Sequence, residues 1–116
     1  MATSGLLHIA LKTPDLKKTE QFYTEILGLE VAFRVPPKMI FLRTPGANDL
    51  VNFVRDEHSP SANSGLEHFG FKTSKAGLKE MEARLKENGV ALAGRRGENA
   101  IYISDPNGYQ LEFYCD

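Results

Sequence analysis

The chain has 116 residues, with 14 basic against 15 acidic side chains and a formal net charge of −1, so it is sized for one compact unit or two small modules, because half of it alone would bury too little apolar surface to offset its conformational entropy. The near-zero charge gives no electrostatic reason to expect nucleic acid or an anionic membrane as partner, and a small neutral or anionic ligand is the more natural one. No apolar run approaches the roughly 20 residues that span a bilayer, the first five residues lack the features of a signal peptide, and the single Cys115 can form no internal disulfide, so the expected setting is the cytoplasm.

In chain order, residues 5–11 read as a buried strand that stops at Lys12-Thr13-Pro14-Asp15, a helix-start signal. Over 16–27 the apolar Phe22, Tyr23, Ile26 and Leu27 recur at helical spacing, and Gly28 supplies a left-handed C-cap. Residues 31–35, 39–43 and 49–55 follow as three short strands, parted by Pro36-Pro37-Lys38 and by Thr44-Pro45-Gly46-Ala47-Asn48. Residues 56–65, rich in serine and almost without apolar side chains, mark a surface linker between a module over 5–55 and another over 66–115. The second module repeats the order: a strand over 66–72, a helix capped by Ser74 and running to Asn88-Gly89, then strands near 90–93, 100–104 and 110–114, the last two joined by the turn Asp105-Pro106-Asn107-Gly108.

The repeat is visible in the residues themselves. Leu6-x-His8-x-x-x-Lys12-Thr13 returns sixty positions later as Leu66-x-His68-x-x-x-Lys72-Thr73, and at the same offset Asn52 answers Glu112. His8 and His68 therefore hold equivalent places. If the modules pair about a pseudo-twofold axis, the first and last strand of each can curl into a common cup with His8, His68, Asn52 and Glu112 facing inward. Glu112 sits between Leu111 and Phe113 on an apolar strand, where an unpaired carboxylate is costly. Two imidazoles and a carboxylate leave open positions on Fe(II), Mn(II), Ni(II) or Zn(II), to which a substrate with two adjacent oxygens can chelate. A lone strand histidine is ordinarily a hydrogen-bonded packing residue; the pairing of two at matched positions with an otherwise unexplained carboxylate is what favours a metal.

Other residues have plainer readings. Tyr109 and Cys115 read as packing residues, Arg95-Arg96 between Gly94 and Gly97 as a solvated turn, and Lys12 and Lys72 as solvated charges at strand ends. Arg34, Arg43 and Arg55 are candidates to hold a substrate carboxylate, against the commoner role of surface charge.

Leu7-His8-Ile9 before Thr13-Pro14-Asp15-Leu16, Phe22-Tyr23 through Leu27-Gly28-Leu29, Glu67-His68-Phe69-Gly70-Phe71 and, most specifically, the run from Tyr102 through Asp105-Pro106-Asn107-Gly108 to Glu112 together resemble the vicinal oxygen chelate superfamily. That group includes glyoxalase I, bleomycin-resistance proteins, methylmalonyl-CoA epimerase, fosfomycin-resistance enzymes and extradiol ring-cleaving dioxygenases, and the resemblance covers nearly the whole chain. It implies an α+β fold of paired βαβββ modules forming a cup-shaped mixed sheet, and a divalent metal, Fe(II) first, on His8, His68 and Glu112. It also implies a homodimer whose modules pair within or across chains. Within the superfamily the set is most like an extradiol dioxygenase, in which the tyrosine matched by Tyr102 helps bind and deprotonate a catechol. The strand histidine such enzymes use as acid-base is replaced here by Val51, Asn52 or Phe53, leaving His58 as a distant substitute. A glyoxalase-like lyase or isomerase is the alternative, with Asn52 where glyoxalase I has a carboxylate; a metal-free binding protein of the bleomycin-resistance type is the other.

Overall fold

The computed structural model describes residues 2–58 and 65–116, which fall into two units, Met1–Ser59 and Pro60–Asp116. Residues 59–64 of the expected linker lie outside the described residues.

In the first unit β1 (Ile9–Thr13) leads into α1 (Leu16–Gln21), where the Asp15 side chain accepts a hydrogen bond from the Lys18 amide at 2.9 Å. That bond satisfies one of the donors a helix start leaves unpaired. Thr13 and Thr19, both buried, join strand to helix through hydroxyls 2.9 Å apart. The helix predicted over 16–27 changes pitch midway: Phe22–Ile26 is π-helical, and the Leu27 amide reaches back to the Phe22 carbonyl. The wider turn lets the adjacent Phe22 and Tyr23 both point inward, with Tyr23 packed on Phe53 at 4.9 Å between ring centroids. Three strands follow, β2 (Glu30–Val35), β3 (Met39–Arg43) and β4 (Val51–Arg55), giving a sheet of order β1-β4-β3-β2 in which only β1 and β4 run parallel.

β1 begins at Ile9 rather than at residue 5. Its partner β4 starts at Val51, so the chain upstream has no backbone to pair with, and Leu6 is 91% exposed. Asp49, expected in β4, instead closes the preceding turn by accepting from both the amide and the hydroxyl of Thr44 at 2.7 Å. His8 consequently lies one residue ahead of its strand, and so does His68.

The second unit repeats the plan with β5 (Phe69–Lys72), α2 (Lys75–Glu87), β6 (Gly94–Arg96), β7 (Ala100–Ser104) and β8 (Gln110–Tyr114), in the order β5-β8-β7-β6. Ser74 caps α2 as expected, accepting from the Gly77 amide at 3.0 Å. Residues 90–93 form no strand, because the helix is still being terminated there: Gly89 turns left-handed at φ 73°, its amide bonds to Lys86, and the Val90 amide bonds back to Leu85. This pair of bonds is a Schellman termination. Only from Ala93, whose amide reaches the Tyr102 carbonyl, does the chain join the sheet. The turn into β8 is as predicted, with Asp105 accepting from the amides of Asn107 and Tyr109 at 2.9 Å.

Each unit is thus a βαβββ module with a helix on one face of a mixed sheet. Leu11, Ile40, Leu42, Val51 and Phe53 are buried in the first; Leu78, Leu85, Ile101, Ile103, Leu111 and Phe113 are buried in the second. Burying each such side chain stabilises the fold by about 1.5–3 kcal/mol. No helix among the described residues is long and apolar enough to cross a membrane.

Candidate functional site

β8 is an interior strand, flanked by β5 and β7, and its register sets Gly70, Glu112, Tyr102 and Gly94 in one row across the sheet. Strand side chains alternate between faces, so Leu111 and Phe113 enter the core while Glu112 points to the other side. There Glu112 Oε2 accepts a hydrogen bond from the Tyr102 hydroxyl at 2.7 Å and from Arg96 Nη2 at 3.3 Å, and Oε1 lies 3.4 Å from His68 Nε2. The carboxylate is 15% exposed, and a carboxylate buried to that degree is costly without partners of this kind. Its hydrogen bond, then burial and the nearby negative charge, hold the Tyr102 hydroxyl above the usual phenol range, keeping it a donor.

Two further contacts shape this corner. His68 Nδ1 is 3.1 Å from Glu67 Oε1, and the His68 ring meets that of Tyr102 edge-on at 6.0 Å. With the proton on Nδ1, donated to Glu67, Nε2 would be left as an acceptor facing Glu112, the arrangement by which an outer carboxylate orients an imidazole toward a metal. Gly70 keeps that side open: a Cβ there would stand 3.4 Å from Glu112 Oε1 and 3.3 Å from the Glu112 carbonyl.

A divalent cation fits this donor set. Two ligands of one cation at right angles stand roughly 3 Å apart, close to the His68–Glu112 separation, and imidazole with carboxylate suits first-row metals. The second unit supplies two of the three expected ligands together with Tyr102. The third, His8, belongs to the first unit, where it is exposed and edge-on to Phe41 at 5.8 Å. Neither unit alone gathers three such side chains among the described residues. Asn52 occupies the place in β4 that Glu112 has in β8, beside Ala10 and Phe41. It is 2% exposed, its Nδ2 is 4.0 Å from Met39 Sδ, and its Oδ1 has no hydrogen-bond partner.

Arg96 is the site residue that sequence reasoning missed. The segment read as a solvated turn is strand β6, whose alternation sends Arg95 to Glu82 on α2 and Arg96 to the opposite face, beside Glu112 and 5.2 Å over the Tyr114 ring. The adjacent pair Arg95-Arg96, put on a strand, would have split in this way; a turn assignment hides it. Arg34, Arg43 and Arg55, candidates for a substrate carboxylate against the commoner role of surface charge, are each engaged, Arg34 with Glu20 and Arg43 with Glu30 at 2.7 Å, and Arg55 with Glu57 at 3.7 Å. His58 is exposed in the first unit, its amide bonded to Asp56. Tyr109 and Cys115 are buried, as packing residues should be.

A mixed sheet with a helix on one face, built twice, with a histidine just ahead of the first strand of each copy and a glutamate on the last strand of the second, defines a class, and the family model of the Glyoxalase/Bleomycin resistance protein/Dioxygenase superfamily matches residues 5–113. The chain belongs to this superfamily, the vicinal oxygen chelate proteins. It is 31% identical over 120 residues to the manganese-dependent 2,3-dihydroxybiphenyl 1,2-dioxygenase of Geobacillus genomosp. 3, an alignment covering 94% of this chain but only 36% of that enzyme. With the metallothiol transferase FosB of Staphylococcus epidermidis it shares 30% identity over 122 residues, covering 98% of this chain and 83% of the transferase. Among solved structures, the integron cassette protein HFX_CASS4 from the mobile metagenome of a Halifax Harbour sewage outfall superposes with a TM-score of 0.82 at 29% identity, covering 98% of this chain and all of that one.

Proposed function

We propose that the protein is a metal-dependent enzyme acting on a small substrate that presents two adjacent oxygens, most like an extradiol, catechol-cleaving dioxygenase. His8, His68 and Glu112 are the proposed ligands and Tyr102 the proposed catalytic residue. The observation that carries the reading is the convergence of His68 Nε2 and the Tyr102 hydroxyl on the two oxygens of one carboxylate, at 3.4 and 2.7 Å. A bound divalent cation, Fe(II) by first preference, supplies Lewis-acid charge for the two substrate oxygens. The protein's own part is to orient and donate. Glu67 sets the His68 ring, Gly70 keeps Glu112 Oε1 accessible, and the raised Tyr102 hydroxyl offers its proton as a hydrogen bond to a bound oxygen once Glu112 is otherwise engaged.

A second reading is lyase, isomerase or transferase chemistry at the same residues, and it is supported by the 30% identity with the metallothiol transferase. We further propose a cytoplasmic homodimer, supported by the exposed Leu6, Leu7, Phe33 and Val35 and by a lone buried thiol. Elemental analysis of anaerobically purified protein tests the core of this reading. Roughly one metal per chain is expected in the wild type, with a loss of at least tenfold in occupancy for Glu112→Ala, His68→Ala and His8→Ala. Iron with aerobic catechol cleavage selects the dioxygenase; manganese, nickel or zinc without it selects the second reading. A protein that takes up no metal on titration is a binding module, and the enzyme reading fails.

A further inference from the structure

We propose that Lys72 and Arg96 form an anion subsite beside Glu112, so that the substrate carries a carboxylate in addition to its pair of adjacent oxygens; the proposal rests on the metal reading above. In the second unit, β5, β6 and β8 border an open, shallow depression of about 390 Å³ lined by Gly70, Phe71, Lys72, Arg96, Glu112 and Tyr114. This lies within the range of small-molecule sites. Register sets Lys72 beside Tyr114, two residues along the same strands from the Gly70–Glu112 pair. Both basic side chains and the one carboxylate therefore share a wall, with two positive charges against one negative.

At the repeat-equivalent position of the first unit the lysine is paired. Lys12, the mate of Lys72, forms an ion pair with Asp56 at 3.4 Å, and Arg34, Arg43 and Arg55 each have a glutamate. Among the described residues Lys72 has no carboxylate partner, and Arg96 has only Glu112. A cation on Glu112 would satisfy that carboxylate and release Arg96, whose stacking on Tyr114 at 5.2 Å holds the guanidinium in the depression. A planar guanidinium and a lysine on one wall match a carboxylate, which a guanidinium can bind through two parallel hydrogen bonds. The structure thus assigns the substrate two recognition ends: adjacent oxygens at the His68–Glu112 end and an anionic group at the Lys72–Arg96 end.

Isothermal titration with 3,4-dihydroxybenzoate and its neutral amide reads the subsite. On the metal-loaded full chain the acid should bind about tenfold more tightly than the amide, an advantage that shrinks with added salt. In Lys72→Gln and Arg96→Gln, compared at equal metal loading, the two probes should bind alike. Equal affinities in the wild type, or a preference that survives in both variants, would overturn the proposal. Glu112→Gln separates it from the metal reading, because that change removes the competing charge without a cation. In this background the acid preference should appear in metal-free protein and vanish in the Glu112→Gln, Arg96→Gln double variant; its absence there also counts against the subsite, whatever the metal analysis finds.

Discussion

The row Ala10–Asn52–Phe41 in the first unit and the row Gly70–Glu112–Tyr102 in the second occupy matching places in matching sheets, yet only the second concentrates charge. In the first, an alanine and a phenylalanine flank a buried amide whose oxygen has no partner, and Phe41 stacks on Phe33 with centroids 4.3 Å apart. In the second, a glycine and a tyrosine flank a carboxylate with an imidazole and a guanidinium in reach. The backbone plan is therefore indifferent to what stands on its outer face, and small exchanges, alanine for glycine and phenylalanine for tyrosine, separate an apolar wall from a polar corner.

Exchanging the flanking residues should break this contrast most visibly. In Gly70→Ala the added methyl would crowd Glu112 at 3.3–3.4 Å, and metal affinity measured by competition with a chelator should fall by about tenfold, which is about 1.4 kcal/mol. Ala10→Gly, the reverse change in the first unit, should leave it unaltered. A smaller effect is expected at Asn52. Its unpaired Oδ1 is a desolvated acceptor, so Asn52→Leu should raise stability by about 1 kcal/mol and the thermal midpoint by about 4 °C. A lower midpoint would mean that a ligand or neighbour satisfies the amide in solution.

The smallest effect concerns the ties between helix and outer strand, Glu20 to Arg34 in one unit and Glu82 to Arg95 in the other. The Arg34 hydrogen bond, partly opposed by burial and aided by the guanidinium charge, lowers the Glu20 pKa below its ordinary 4.5. A carboxylate depressed in the folded state contributes stability above its unfolded pKa and loses it as pH falls through the folded value. Thermal scans of Glu20→Gln should therefore lie slightly below the wild type near neutrality and converge with it well below pH 4.5.

Much of this architecture is legible in the sequence, because periodicity and punctuation are local. β3, β7 and β8 begin and end where alternation and turn residues put them, and Asp15 and Ser74 cap the helices they precede. Failures came where a longer-range constraint decided. Val90 looks like a strand residue, but its amide still belongs to the helix end; residues 5–8 alternate like a strand but lack a partner. The candidate site divides in the same way. His68, Glu112 and Tyr102 are recoverable from spacing and resemblance, whereas Arg96 becomes visible only when β6 pairs with β7 and fixes which of two adjacent arginines faces the carboxylate.

On β8, residues 111 and 113 are buried while 110, 112 and 114 face outward. One five-residue strand thus divides its labour by parity: odd positions keep the module folded, and even positions are free to change what it binds. Substitutions can accumulate on the even register with little penalty to the core, so such a scaffold can acquire or discard a chemistry one side chain at a time. The amide at Asn52 and the carboxylate at Glu112 are two outcomes of that freedom within a single chain.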